Sequence, residues 1–355
     1  MSANPWQPTS RAHKPAILGQ PIEDPSAWVR EDLEASQAHI YHLSEGEVSD
    51  ILDAVVRVES QRLELKDITR EAFTLPAFGP VLADLRREII EGRGFVFLRG
   101  LPVDARSLYQ TAAAFWGIGA HIGRAVSQNG KGHLLGHVKN MGEVITSATG
   151  RGYNSASELG FHADSCDIFG LCCLRTSKSG GQHRMVSSMT VYNEMLKRCP
   201  ELVEELAFRF YRSRRGELPP GETDPWTRQP VFSITDGFFA TRGASSTIKR
   251  AQGMPGVPDL TIAQNEAIRA YNTLSGELAM DVDFEPGDIS LVQNYVALHA
   301  RTHYEDWPEP ERKRHLLRLW MSFDGARPLH ADIIRDHEQG ILEAGTVLHA
   351  PLEAA

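Results

Sequence analysis

The stretch LGFHADSCDIFGLCCLR, residues 159–175, sets the reading of this chain. It joins the tripeptide His162-Ala163-Asp164 to an apolar run from Ile168 to Leu174. A short, near-continuous apolar run bounded by Asp167 and Arg175 predicts a buried strand over 167–175. In extended chain, side chains two apart share one face, so His162 and Asp164 point together. Imidazole plus carboxylate on one face is the start of the set of two histidines and one carboxylate that leaves coordination positions open on iron(II). The spacing alone is a weak signal, because the chain carries a second copy, His330-Ala331-Asp332. That copy follows Gly325-Ala326-Arg327-Pro328 and enters the helix-like run DIIRDH, 332–337, where an ordinary polar pair is the better reading.

A third ligand must come from a neighbouring strand, and EPGDISLVQNYVALHARTHYEDWPEPERKRHLLRLWMSF, 285–323, supplies His299. Pro286-Gly287 marks a turn into a strand that ends near Asn294. Arg314 follows His299 by fifteen residues and Arg318 lies four further on, so on a strand both guanidiniums face one way. Arginine suits bidentate capture of a carboxylate. A solvated basic stretch is the plainer alternative for Arg312-Lys313-Arg314, but the apolar L-L-R-L-W setting of Arg318 argues against it there.

Further strands are expected at 133–139, 182–187, 231–234, 238–242, 289–293 and 314–323, with Asp236-Gly237 as a hairpin turn. The first third reads as helical. Ser44-Glu45-Gly46-Glu47 is a capping box opening a helix to about Arg62. Residues 76–91 carry apolar positions at helical spacing, 94–98 form a short strand, and Asp104 is expected to cap a helix to about Trp116. Helices are also expected near 190–207, broken by Pro200, and near 261–276. This order gives an α+β chain with a mainly β core, a sandwich or barrel with helices on one side. The prolines of the first 25 residues suggest an extended arm on the surface. The expected organisation is one catalytic domain over 1–355: arm and helical cap over 1–90, core over 91–325 and tail over 326–355.

Composition narrows the partners. With 37 basic and 46 acidic residues the net charge is −9, which argues against non-specific binding to nucleic acid or anionic lipid. No apolar run approaches the ~18 residues of a membrane span, and the N-terminus lacks a secretory apolar core, so the cytoplasm is the expected compartment. The four cysteines form no C-x-x-C pair and read as buried hydrophobes. A small-molecule substrate is the expected partner, and self-association is left open. Two patterns are set aside. Gly117-Ile118-Gly119 follows a helix, where a dinucleotide loop needs a strand before it. His133 and His137, four apart, lack the glutamate of a zinc helix and sit in strand-like sequence.

Taken in order, GFVFLRGLPVD (94–104), LGFHADSCDIFGL (159–171), SGGQHRMVSS (179–188), PGDISLVQN before His299 and the closing R-x-x-x-R resemble the iron(II)/2-oxoglutarate dioxygenases of the taurine dioxygenase and clavaminate synthase-like superfamily. The resemblance covers roughly residues 90–325. It implies a double-stranded β-helix, jelly-roll-like, with flanking helices. It implies iron(II) on His162, Asp164 and His299, with 2-oxoglutarate and O2 as co-substrates. By the same resemblance Arg314 holds the distal carboxylate of 2-oxoglutarate. Arg318 lies near the co-substrate or binds an acidic group of the substrate. Relatives commonly place Thr or Ser two positions after the Gly-Gly pair, where this chain has His183; Ser187 or Ser188 is the alternative contact. Gln128 and Glu158 are expected on the substrate-side wall. The implied reaction hydroxylates an unactivated C–H bond of a small polar molecule, an amino acid or other carboxylate, releasing succinate and CO2. The alternatives are a β-barrel that binds a small molecule or metal without turnover, and a zinc hydrolase.

Overall fold

The computed structural model describes residues 4–143, 152–323, 325, 327–333 and 340–353. Two sheets organise it. The large sheet has seven strands, in the order Ile40–His42, Phe95–Arg99, Ile289–Gln293, Ile168–Arg175 and His315–Ser322, with Arg124–Ala125 and Leu135–Val138 both pairing with the last. The small sheet has four: Met280–Val282, His183–Ser187, Ala297–Arg301 and Leu159–His162. All pairings within these two sheets are antiparallel except that of Ile40–His42 with Phe95–Arg99. Neither sheet closes on itself into a barrel.

Alternation along the strands sorts side chains into three apolar layers. Phe95, Phe97, Phe169, Leu171, Cys173, Leu316 and Trp320 of the large sheet meet Met185 and Ala297 of the small sheet between the two. Their neighbours Val96, Leu98, Cys172, Leu317 and Leu319 face the other way, into a layer with helices Glu45–Ser60, Phe78–Glu91 and Leu108–Ile122. Val186 and Leu298 turn outward from the small sheet onto helices Ser188–Arg198 and Ile262–Leu278. Helices therefore cover both outer faces, where the sequence suggested one side. Each sheet has an apolar outer face to bury, which a single helical layer would leave exposed.

The local signals mostly hold. Ser44 caps Glu45–Ser60 with the full reciprocal box to Glu47. Asp236 and Gly237 turn a hairpin between Phe232–Thr235 and Phe238–Thr241, both with positive φ (50° and 79°). One start is corrected: Ser107, not Asp104, caps the third helix, boxed with Gln110, and this helix runs on to Ile122. Gly117 and Gly119 thus lie inside a helix, where a Cβ would meet Phe73 and Leu319. They are close-packing glycines, not a phosphate loop. The N-terminal arm is also more than a surface strap. Ala16, Ile22 and Trp28 are buried, and Ile22 N–H donates to Asn193 Oδ1. No described helix is long and apolar enough to cross a membrane. The expected helix over 332–337 lies outside the described residues from 334 onward.

Candidate active site

Register brings the first tripeptide to its third partner. His299 pairs with His162 on one side and Met185 on the other, so all three side chains share the inward face of the small sheet. The rings of His162 and His299 lie 4.2 Å apart. Asp164 follows past the strand end, its Oδ1 4.0 Å from His162 Nε2. Ligand-capable atoms of His162, Asp164 and His299 all lie within 4.8 Å of one another, the only such group among the described residues. Burial pulls the His162 pKa down and holds His299 well below the ordinary histidine value, so both imidazoles are neutral, the form that binds metal. The Gly160 carbonyl lies 2.8 Å from His162 Nδ1. That bond places the proton on Nδ1 and leaves the Nε2 lone pair facing the site. His299 Nδ1 is buried with no partner. Two neutral imidazoles, one carboxylate and this donor chemistry fit iron(II).

Asp164 is held from four sides. Trp320 Nε1 donates to its Oδ2 at 2.8 Å and Arg318 Nη1 lies 3.4 Å from the same oxygen. Asn294 Oδ1 accepts its backbone N–H, and Arg242 Nη1 donates to its backbone carbonyl. Oδ2 is occupied, so Oδ1 is the oxygen left for a metal. Gln128 belongs to this scaffold. Its Oε1 accepts from Arg318 Nε at 2.7 Å, and its Nε2 donates to Leu134 O and Arg318 O. The structure therefore corrects the placement of Gln128 on the substrate wall. It is fully buried with its amide engaged on both ends, and it orients Arg318. Trp320 and Arg242 carry no sequence motif, whereas Asn294 closes the stretch PGDISLVQN. Trp320 had a local clue, two residues past Arg318 on an inward-facing strand.

Beside the triad, away from Asp164, lies a chamber of buried donors. His183 faces Arg301 across the strand pair, and its ring lies 5.9 Å from that of His299. Burial, and then the Arg314 charge, pushes His183 down to about 3, so it is neutral. Its Nε2 has no partner, nor do Arg314 Nη1 and the Nε and Nη1 of Arg301. Burial, and then the Arg314 charge, lowers Arg301 to about 10; burial lowers Arg314 as well. Buried donors of this kind need an acceptor, and an anionic dicarboxylate such as 2-oxoglutarate fits. Gly180 and Gly181 let the chain pass close to His303 and Arg314. Both have positive φ, and a Cβ on Gly180 would strike the His303 carbonyl while one on Gly181 would crowd Arg314 Nε. Ser187 and Ser188 do not reach the chamber, since their hydroxyls donate to Ser26 O and Val296 O. Of these three residues, His183 is the one with an unpartnered side-chain atom beside the triad.

On the open side of His162 and Asp164 lies a cavity of about 910 Å³. Tyr153, Glu158, Arg318 and Trp320 line it, together with Arg212, Arg214 and Arg242 from the chain segment between helices Ser188–Arg198 and Ile262–Leu278. Arg318 lies over the Tyr153 ring at 4.5 Å. The discarded patterns take other places. His137 hydrogen bonds His315 at 2.8 Å and His133 bridges to His349, so that pair shares no metal. Asp332 pairs with Arg209 at 2.7 Å, outside the triad.

The fold and this site define a non-haem iron(II)- and 2-oxoglutarate-dependent dioxygenase. The profile of the taurine catabolism dioxygenase TauD, TfdA family matches residues 60–320, and the chain belongs to that family. It is 32% identical to FR-33289 synthase of Streptomyces rubellomurinus over 94% of this chain and 99% of that protein. It is 28% identical to a taurine hydroxylase-like protein of Stachybotrys chartarum, over 86% and 81%. Among solved structures, asparagine oxygenase with Fe(II), 3-hydroxyasparagine and succinate superposes with a TM-score of 0.62 at 19% identity, covering 80% of this chain and 93% of that one. The oxygenase OrfP with Fe and alpha-ketoglutaric acid does so with 0.57 at 17%, covering 80% and 94%. Family membership removes the non-catalytic barrel and the zinc hydrolase as readings.

Proposed function

We propose that His162, Asp164 and His299 hold the iron, that Arg314 and His183 receive 2-oxoglutarate, and that Arg318 stands between co-substrate and substrate. The observation that carries this is the juxtaposition of the triad with the chamber of buried, unpartnered donors. Bound iron(II) with 2-oxoglutarate and O2 supplies the oxidising chemistry, inserting oxygen into a substrate C–H bond with succinate and CO2 as co-products. The chain's own residues supply geometry. Gly160 fixes the His162 tautomer, Trp320 and Arg318 hold one oxygen of Asp164, and Phe169, packed 4.1 Å from the His299 ring, keeps water from that side. We read the two facing sheets as the halves of a jelly-roll double-stranded β-helix, and residues 1–355 as one catalytic unit. The four free cysteines suit the cytoplasm.

The substrate is read as a small polar carboxylate, with an amino acid as the leading class. Arg318 lines the cavity beside the triad and suits an anionic group on the substrate, while Glu158, exposed in the same lining, suits an amine. The amino-acid products in the structures of asparagine oxygenase and OrfP point the same way. Succinate release and product mass, measured across amino acids and their decarboxylated amines, test it. Turnover of the amines alone would reject the carboxylate requirement. For the co-substrate, losing one partner of a buried charge pair costs roughly 2–5 kcal/mol. Arg314→Ala should therefore weaken 2-oxoglutarate binding by about 30-fold or more. An unchanged affinity by anaerobic titration would remove Arg314 as the anchor.

A further inference from the structure

We propose that Arg301 is a second arginine for the distal carboxylate of 2-oxoglutarate, presenting its free Nη1 beside Arg314. The inference rests on the reading of Arg314 as the co-substrate anchor. It starts from strand geometry. Arg301 lies two residues past His299 on Ala297–Arg301, opposite His183 on the neighbouring strand. Side chains at these positions face inward together, so Arg301 stands on the same face as a triad histidine, toward the chamber.

Its guanidinium is held at one corner only. Nη2 donates to Ser155 O at 2.7 Å and also to Ser157 O. Nε and Nη1 are buried and have no partner, in a residue only 5% exposed. Tyr304 ties the two arginines into one group. The Arg301 guanidinium lies 4.8 Å from the Tyr304 ring centre and that of Arg314 lies 5.1 Å from it. Arg314 Nη1 is likewise buried without a partner.

Charge points to the same ligand. Asp306 is the carboxylate in this neighbourhood; its Oδ1 accepts the Arg314 backbone N–H. Two guanidiniums against one carboxylate leave one net positive charge out of water, which is costly unless it is paired. One further carboxylate neutralises it. Its two oxygens offer about four acceptor sites, enough for Arg314 Nη1 and Arg301 Nη1 together. A hydroxyl or amide ligand would satisfy some donors and leave the charge. The same guanidinium grips the carbonyls of Ser155 and Ser157, just before Glu158 and Leu159 in the cavity wall. Co-substrate in the chamber and the shape of the substrate wall therefore share one side chain.

The test uses the full chain loaded with Fe(II) under anaerobic conditions, with binding read by calorimetry. Two acids are compared: 2-oxoglutarate, and 2-oxopentanoate, which keeps the five-carbon chain and the keto-acid end but lacks the distal carboxylate. Loss of a charge-assisted hydrogen bond predicts that Arg301→Gln weakens 2-oxoglutarate by about 10-fold or more, while 2-oxopentanoate stays within about 2-fold of wild type. Arg301→Lys keeps the charge and should recover part of the loss, for 2-oxoglutarate only. Should the glutamine variant not fold, the lysine variant carries the same two titrations, and a selective deficit for 2-oxoglutarate is again expected. Equal weakening of both acids would mean that Arg301 only braces the 155–157 backbone, and no change in either would mean that it is idle; both overturn the proposal. If Arg314→Gln left 2-oxoglutarate binding at the wild-type level, the anchor reading itself would fall, a result distinct from a failure confined to Arg301.

Discussion

His162-Ala163-Asp164 and His330-Ala331-Asp332 are the same three residues with different fates. In the first, the tripeptide leaves the inward face of a strand, and His162 has His299 as its neighbour across the sheet, with Met185 beyond it. In the second, 331–333 form a helical turn, Asp332 N–H lies 3.3 Å from His330 Nδ1, and the carboxylate turns to Arg209. The carboxylates also differ in what holds them. Asp164 has Trp320 and Arg318 on one oxygen and a free side toward two imidazoles. Asp332 has a half-exposed arginine. A ligand set is thus a property of what the sheet brings alongside, not of the tripeptide.

The sharpest way to break this comparison is to remove what only the first copy has. His299→Ala takes away the third ligand, and turnover should fall by more than the ~10–100-fold typical of residues that merely support a ligand. Near-normal succinate production in that variant would place the chemistry elsewhere. A smaller effect should follow from Trp320→Phe, which deletes the N–H on Asp164 Oδ2 and keeps the apolar contact. Iron affinity is expected to drop by about 10-fold, read by competition with a chelator, with the sheet core intact. Smallest is the second copy's own interaction. Arg209 is 49% exposed, so its pair with Asp332 is screened by solvent. Asp332→Ala should cost no more than about 1 kcal/mol in denaturant unfolding. A loss of several kcal/mol would show that the second copy has a structural role that its ion pair does not express.

Much of this was legible in the sequence where the signal is local. Ser44 and Glu47 announce a helix start because a capping box needs only four residues. The apolar run after Asp167 announces a central strand, observed as Ile168–Arg175 between two partners. Signals weakened where polar residues form sheet. The hairpin of Arg209–Ser213 with Trp226–Pro230 went unread, since RFYRS and WTRQP lack clean alternation and a Gly/Pro-rich connection separates them. The site divides the same way. His162, Asp164, His299 and Arg314 stand in motifs with spacing. Trp320 and Arg242 are chosen by tertiary position, and Gln128 had a visible location but an invisible partner, Arg318, 190 positions away. Arg301 was hidden in plain view, two residues past a ligand candidate, because only burial reveals that its donors lack partners.

The central claim is that the first tripeptide, and not its copy, holds the iron. Equilibrium binding of Fe(II) under anaerobic conditions to wild type, Asp164→Ala and Asp332→Ala tests it without relying on any substrate. The account predicts one iron per chain for wild type and for Asp332→Ala, and no tight iron for Asp164→Ala. Full iron binding by Asp164→Ala, with loss in Asp332→Ala, would contradict it.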